Sequence, residues 1–97
     1  MLYAYRQAVP QDDGQASKRL WLAGEQGKFK AQYILGMMLA NGQGITKDYV
    51  LAHMWYNLSG LQGNLGATRQ VRALEKSMSQ EQIEKAQKMV REWKPTE

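Results

Sequence analysis

Residues 28 to 41 read KFKAQYILGMMLAN, and their apolar positions fall at helical spacing rather than in strict alternation. Ala31, Leu35 and Met38 share one stripe, with Ile34 and Leu39 beside it, which predicts an amphipathic helix. A second helix follows, because Ala52, Trp55 (with Tyr56) and Ser59 recur at the i, i+3, i+7 spacing of a buried face. Asp48 falls in or just before its first turn, where a carboxylate suits the unpaired N–H groups and the helix dipole. Gly42 comes after the last residues of the first helix, where a left-handed backbone ends a helix at little cost. Gly63 ends the second helix and leads into a third. Gly36 interrupts the first helix at a cost of up to ~1 kcal/mol relative to alanine. We expect it to let the partner helix approach closely, with the small residues Ala52 and Ser59 on the other side of the crossing.

The last apolar stripe is Ile83, Ala86, Val90 and Trp93, with Glu81, Glu84, Lys85, Lys88 and Arg91 turned to water. Ser79 and Gln82 have the spacing of a capping box, Met78 and Ile83 that of a hydrophobic staple, and Pro95 stops the helix. Such an amphipathic end suits a terminal cap that shields a stack while staying soluble itself.

These patterns recur. A shift of 36 residues lays GEQGKFKA at Gly24 over GLQGNLGA at Gly60. It also carries Gln7 to Gln43, Val9 to Ile45, Asp12 to Asp48, Ala16 to Ala52, Leu22 to Leu58 and Ala31 to Ala67. Each unit is therefore a pair of helices, and the pair rather than the single helix is the folding unit.

Composition narrows the function classes. The 97 residues support one domain, and the absence of cysteine excludes disulfides, thiolate metal sites and a cysteine nucleophile. No apolar run has the length of a membrane span, and the start lacks the pattern of a signal peptide. The chain is expected to be cytoplasmic if Met1 is the true start, and periplasmic or secreted if a signal precedes it. A net charge of +4 allows attraction to acidic partners but lacks the clustered basic residues of a nucleic-acid reader.

Candidate chemistry is thin. Gly42 and Gly44 follow a helix, whereas a dinucleotide loop follows a strand, and GQGITKD lacks the Gly-Lys-Ser/Thr ending of a P-loop. They shape a turn from which Ile45 plugs back into the core. His53, the one histidine, has no companion ligands in sequence and is expected at the surface or half-buried. Asp12 and Asp13, adjacent and so pointing apart, fit a helix start. The methionines at 37, 38, 54, 78 and 89 fit core filling. No catalytic, cofactor-binding or metal-binding residues are assigned.

Ala31, Leu35, Gly36, Leu39, Gly42, Gly44, Ile45, Asp48, Ala52, Trp55, Tyr56, Gln62 and Gly63 together resemble the Sel-one-like repeat (SLR) family, relatives of the tetratricopeptide repeats. Partial copies extend the likeness over about residues 2 to 78, and the tail resembles the helix that often closes such bacterial proteins. In the first copy Arg6 and Ala8 stand in place of the loop glycines, and in the last Val71 and Arg72 replace Leu-Gly, so the close crossing is lost there. Cysteine-rich members are linked to β-lactam chemistry, a subgroup this chain does not resemble.

The resemblance implies an all-α fold, a right-handed α-solenoid of antiparallel helix pairs with a C-terminal capping helix. Residues 1–97 would form a single SLR domain: a partial repeat at about 2–27, a full repeat at 28–63, the first helix of a third at 64–78 and the cap at 79–94. It implies a non-catalytic adaptor that binds a protein or peptide segment, with no cofactor. The first helix of each pair lines the concave face in such stacks. That face would carry Lys30, Tyr33, Met37 and Asn41, then Arg69, Arg72 and Lys76, beside Gly66, Ala73 and Ser77. Its basic and aromatic character suits an acidic or C-terminal peptide. A second expectation is a self-associating fragment of a larger repeat protein, in which Leu2, Tyr3, Leu20 and Trp21 lack a helix to pack on and make a homo-oligomer. An enzyme or a nucleic-acid binder ranks below both.

Overall fold

The computed structural model describes residues 15–95, and the expectations placed on Leu2, Tyr3, Arg6, Ala8, Asp12 and Asp13 lie outside the described residues. Five helices follow one another: α1 (Gln15–Glu25), α2 (Phe29–Asn41), α3 (Tyr49–Leu61), α4 (Leu65–Glu75) and α5 (Gln80–Glu92). There is no strand among the described residues. α1 packs on α2, α2 on α3 and α3 on α4, and α3 also carries α5, so α3 is the central element.

The helix ends follow from local chemistry. Gly42 closes α2 in the left-handed region at φ 69°, donating its N–H to the Met38 carbonyl. The Asp48 carboxylate accepts from the Leu51 N–H at 3.0 Å, and the Asp48 N–H donates to the Leu39 carbonyl at 2.9 Å, tying the loop back to α2. Ile45 packs against the core from that loop. The internal repeat reappears in the backbone: the N–H of Gly27 donates to the Gly24 carbonyl at 3.0 Å, and that of Gly63 to Gly60 at 3.0 Å. Both turn glycines sit at positive φ, 95° and 99°, which explains why the same residue stands at both places. At α5 the Ser79 side chain accepts from the Gln82 N–H, and the Gln82 side chain accepts from the Ser79 N–H, completing the capping box.

Glycine also sets how closely the helices cross. A Cβ on Gly24 would lie 2.7 Å from Leu35 Cδ1, one on Gly36 2.6 Å from Tyr56 Cδ1, and one on Gly60 2.6 Å from Thr68 Oγ1. Gly36 thus permits the close approach expected of it, but against the Tyr56 ring rather than Ala52 and Ser59. Ser59 serves differently, donating its hydroxyl to the Phe29 carbonyl at 2.8 Å. In α4 the residue equivalent to Gly36 is Arg72, which is exposed, and α5 docks on α3 instead of on α4.

The core is built from Trp21, Leu35, Leu39, Leu51, Ala52, Met54, Trp55 and Leu58. Trp21 meets Trp55 edge-on at 5.7 Å, and Trp93, just past α5, meets Trp55 edge-on at 6.5 Å. The expectation that Trp21 lacks a helix to pack on is corrected by its full burial against Trp55. Ile34, expected beside the buried stripe, is 37% exposed instead, and Leu39 takes the deep position. An amide relay crosses the stack from an exposed to a buried carboxamide: Gln62 donates to Gln32 Oε1 at 2.8 Å, and the buried Gln32 donates to the Gly24 carbonyl at 3.0 Å.

Candidate interaction cleft

Because α2 and α4 both lie against α3, their outward faces leave a cleft between them with α3 as its floor. Met37, Ala40 and Asn41 come from α2, Tyr49 and Tyr56 from α3, and Gln70, Ala73 and Leu74 from α4, with Ser77 just past its end. Its volume is about 280 Å³. The wall from α4 is the i, i+3, i+4, i+7 set starting at Gln70, which fixes one face of that helix toward α2.

Among the described residues, no formally charged side chain lines this cleft. Its polar groups are two carboxamides, two phenols and a hydroxyl, beside the apolar Met37, Ala40, Ala73 and Leu74. Tyr33 is half-buried next to it, with its ring 5.7 Å from that of Tyr56. Burial pushes the Tyr56 phenol up to about 12, with Tyr33 adding to the shift. Tyr56 is therefore a neutral hydrogen-bonding group at any ordinary pH. Lys47 sits 4.9 Å above the Tyr49 ring, placing one cation close to the cleft through that floor residue.

The sequence-derived surface divides among three places. Met37 and Asn41 line the cleft with Ala73 and Ser77. Arg69 and Arg72 lie instead with Leu65 and Thr68 on another part of α4, which shares no residue with the cleft. Lys76 caps the end of α4. Lys30 lines a separate opening at the start of α2. The groove is therefore neutral where a basic one was expected, because positions 70 and 73, not 69 and 72, face α2. Sequence reasoning missed Gln70, Leu74, Tyr49 and Tyr56. The first two follow from shifting the α4 stripe by one residue, whereas the floor tyrosines needed the packing of α3.

His53 is corrected as well. It is fully buried, and its Nε2 lies 2.8 Å from Glu75 Oε2 across the α3–α4 contact. That partner is 22 residues away in the chain and carries no sequence signal. Among the described residues no three His, Cys, Asp or Glu side chains cluster as metal ligands, and no helix is long and apolar enough to cross a membrane.

Residues 29–64 match the family model of the Sel1 repeat, which covers α2, the glycine loop, α3 and the turn that follows. The chain carries a Sel1 repeat there, a helical repeat related to the tetratricopeptide repeat, and such repeats generally mediate protein–protein interaction. No curated protein and no solved structure matches the sequence.

Proposed function

We propose that this protein is a non-catalytic adaptor that holds a segment of another protein in the cleft between α2 and α4. The helix pairs then form a right-handed solenoid whose concave side is this cleft, and α5, laid across α3, closes one end of the stack. The observation that carries the proposal is the cleft itself: open, lined by two stacking helices, and supplied with neutral donors and acceptors above an aromatic floor. Asn41, Gln70 and Ser77 suit the backbone amides of a bound segment, while Met37, Tyr49 and Tyr56 suit one apolar or aromatic anchor. Arg69, Arg72 and Lys76 lie outside the cleft, where they act on an acidic flank of the bound segment.

Two sets of substitutions test this. Ala73→Arg, which fills an exposed cleft position, should weaken binding to peptides selected on the native protein by at least tenfold. The combined Arg69→Glu, Arg72→Glu and Lys76→Glu change should reduce only the salt-dependent part of the affinity, since exposed charges are screened. Unchanged peptide affinities in the Ala73→Arg protein, with its helicity intact, would refute the proposal.

A further inference from the structure

Four positions of α2 hold the second helix of the pair. The Phe29 carbonyl accepts from Ser59, Gln32 accepts from Gln62 just past α3, and Tyr33 and Gly36 both meet the Tyr56 ring. A shift of 36 residues carries these four positions to Leu65, Thr68, Arg69 and Arg72 of α4. The same four residues line an opening of about 220 Å³. The opening is therefore the seat where a second helix would pack on α4, and α5 leaves it open by docking on α3. Leu65 is 70% exposed at one end of the seat, and neither arginine pairs with a carboxylate among the described residues. The register lays residues 1–14, which are outside the described residues, over 37–50, and so assigns them to the pair before α2 and not to α4.

The residues that differ between the two seats specify the occupant. Arg72 stands where Gly36 lets α3 come close, so a helix cannot cross α4 at the same distance. The seat offers instead a line of contacts along α4. It starts at the apolar Leu65 and reaches the two guanidinium positions about 6 Å and about 10 Å further along the axis, at a rise of 1.5 Å per residue. An extended chain puts side chains on one face every ~6.6 Å, so alternate residues reach Leu65, Arg69 and the long Arg72 in turn. Guanidinium forks match carboxylates with paired hydrogen bonds. A second copy of this chain has no such segment to offer among the described residues. Glu25 is buried, Asp48 caps α3, Glu75 is held by His53, and the glutamates of α5 alternate with Lys85, Lys88 and Arg91. We propose that this face of α4 binds an extended acidic segment of another protein. That segment presents an apolar residue, with carboxylates two and four positions after it. The inference deepens the cleft reading by giving the partner's acidic flank a defined place, yet the seat shares no residue with the cleft and binds such a segment alone.

The test uses the full chain and short capped peptides of glycine and serine that carry leucine, glutamate and glutamate at alternate positions. A matched peptide has glutamine for both glutamates. In amide chemical-shift titrations at low salt the glutamate peptide should bind about fivefold more tightly than the glutamine peptide, as two exposed ion pairs allow, and the gap should close in high salt. Its shifts should centre on residues 65–72 and spare Met37 and Asn41. Reversing both arginines, Arg69→Glu with Arg72→Glu, should remove the preference, and Leu65→Ser should weaken both peptides about threefold; all three positions are exposed, so the fold is kept. Ala73→Arg, which blocks the cleft, should change neither peptide, so that failure of the cleft reading would leave this result standing. Equal affinities, a preference that survives the arginine reversal, or shifts centred on the cleft would overturn the proposal. So would sedimentation in which the native chain self-associates and the arginine reversal returns it to monomer.

Discussion

Replacing Gly36 with alanine sets two effects of known sign against each other. In a helix interior alanine is favoured over glycine by up to ~1 kcal/mol, so propensity alone predicts stabilisation. The added Cβ, however, would stand 2.6 Å from Tyr56 Cδ1 and 2.8 Å from both Cγ and Cε1 of the same ring. That ring is buried and packs beside the Tyr33 ring at 5.7 Å, so it has no free end to swing aside. Relieving the clash means parting α2 from α3, the largest interface in the stack, and overpacking of this kind typically costs ~1–3 kcal/mol. The clash outweighs the propensity gain, and we expect a net loss of roughly 1–2 kcal/mol. For a domain of this size that corresponds to a fall in Tm of about 5–15 °C. Gly66→Ala is the matched control, since its Cβ would meet nothing nearer than Asn64 Oδ1 at 3.4 Å. That change should leave stability equal or raise it by up to ~1 kcal/mol. Urea unfolding followed by far-UV circular dichroism measures both. In a double-mutant cycle with Tyr56→Ala the loss at Gly36 should disappear. A Gly36→Ala protein as stable as the native one would refute the close-crossing account.

Other outcomes follow from single contacts. Glu75→Ala strands the buried His53 Nε2 and should cost about 1–3 kcal/mol in urea unfolding at neutral pH, with Glu75→Gln costing less because it keeps a partner in reach. Gln32→Leu removes the bonds to the Gly24 carbonyl and from the Gln62 amide, which keep second partners in the Gly27 N–H and the Leu58 carbonyl, and should destabilise by about 1 kcal/mol, beyond the effect of an exposed Gln70→Leu. Because the Tyr56 phenol is raised from 10.0 to about 12 in the fold, the folded state binds more protons than the unfolded state between those values. Its contribution to stability is complete below pH 10 and is lost as pH rises toward 12. Ultraviolet titration of tyrosinate should show one late-ionising phenol, and Tyr56→Phe should remove that component.

The helices, their caps and the 36-residue stride were legible because each rests on local chemistry written in adjacent residues: Asp48 before α3, Gly42 after α2, Ser79 with Gln82 at α5. Gly36 was legible as a close crossing but not in what it meets, since any small residue on α3 satisfies the pattern and only the coordinates select the Tyr56 ring. The cleft was half legible. Helical spacing on α2 found Met37 and Asn41, but carrying the stripe across by the repeat offset put Arg69 where Gln70 faces inward. One residue on a helix is a rotation of about 100°, enough to turn an uncharged wall into a basic one. His53 failed for a different reason. Its partner is far away along the chain, and burial of a polar residue depends on a contact that no local pattern encodes. Trp21 failed because the sequence counts missing neighbours from the α1 side, while Trp55 reaches it from α3.

The three indoles of Trp21, Trp55 and Trp93 leave their N–H groups without an acceptor among the described residues. They stand edge to face in a row, each supplied by a different part of the chain. Such a row is a built-in optical gauge. Trp21 and Trp55 are fully buried and should emit toward the blue, and the row, with the partly buried Trp93, should couple its transitions in the near-ultraviolet. Trp93 can leave the row only if the C-terminal helix lifts, and Trp21 only if α1 does. Undocking at either end of the stack is therefore readable from the unlabelled protein, and single Trp→Phe replacements would tell which end had moved.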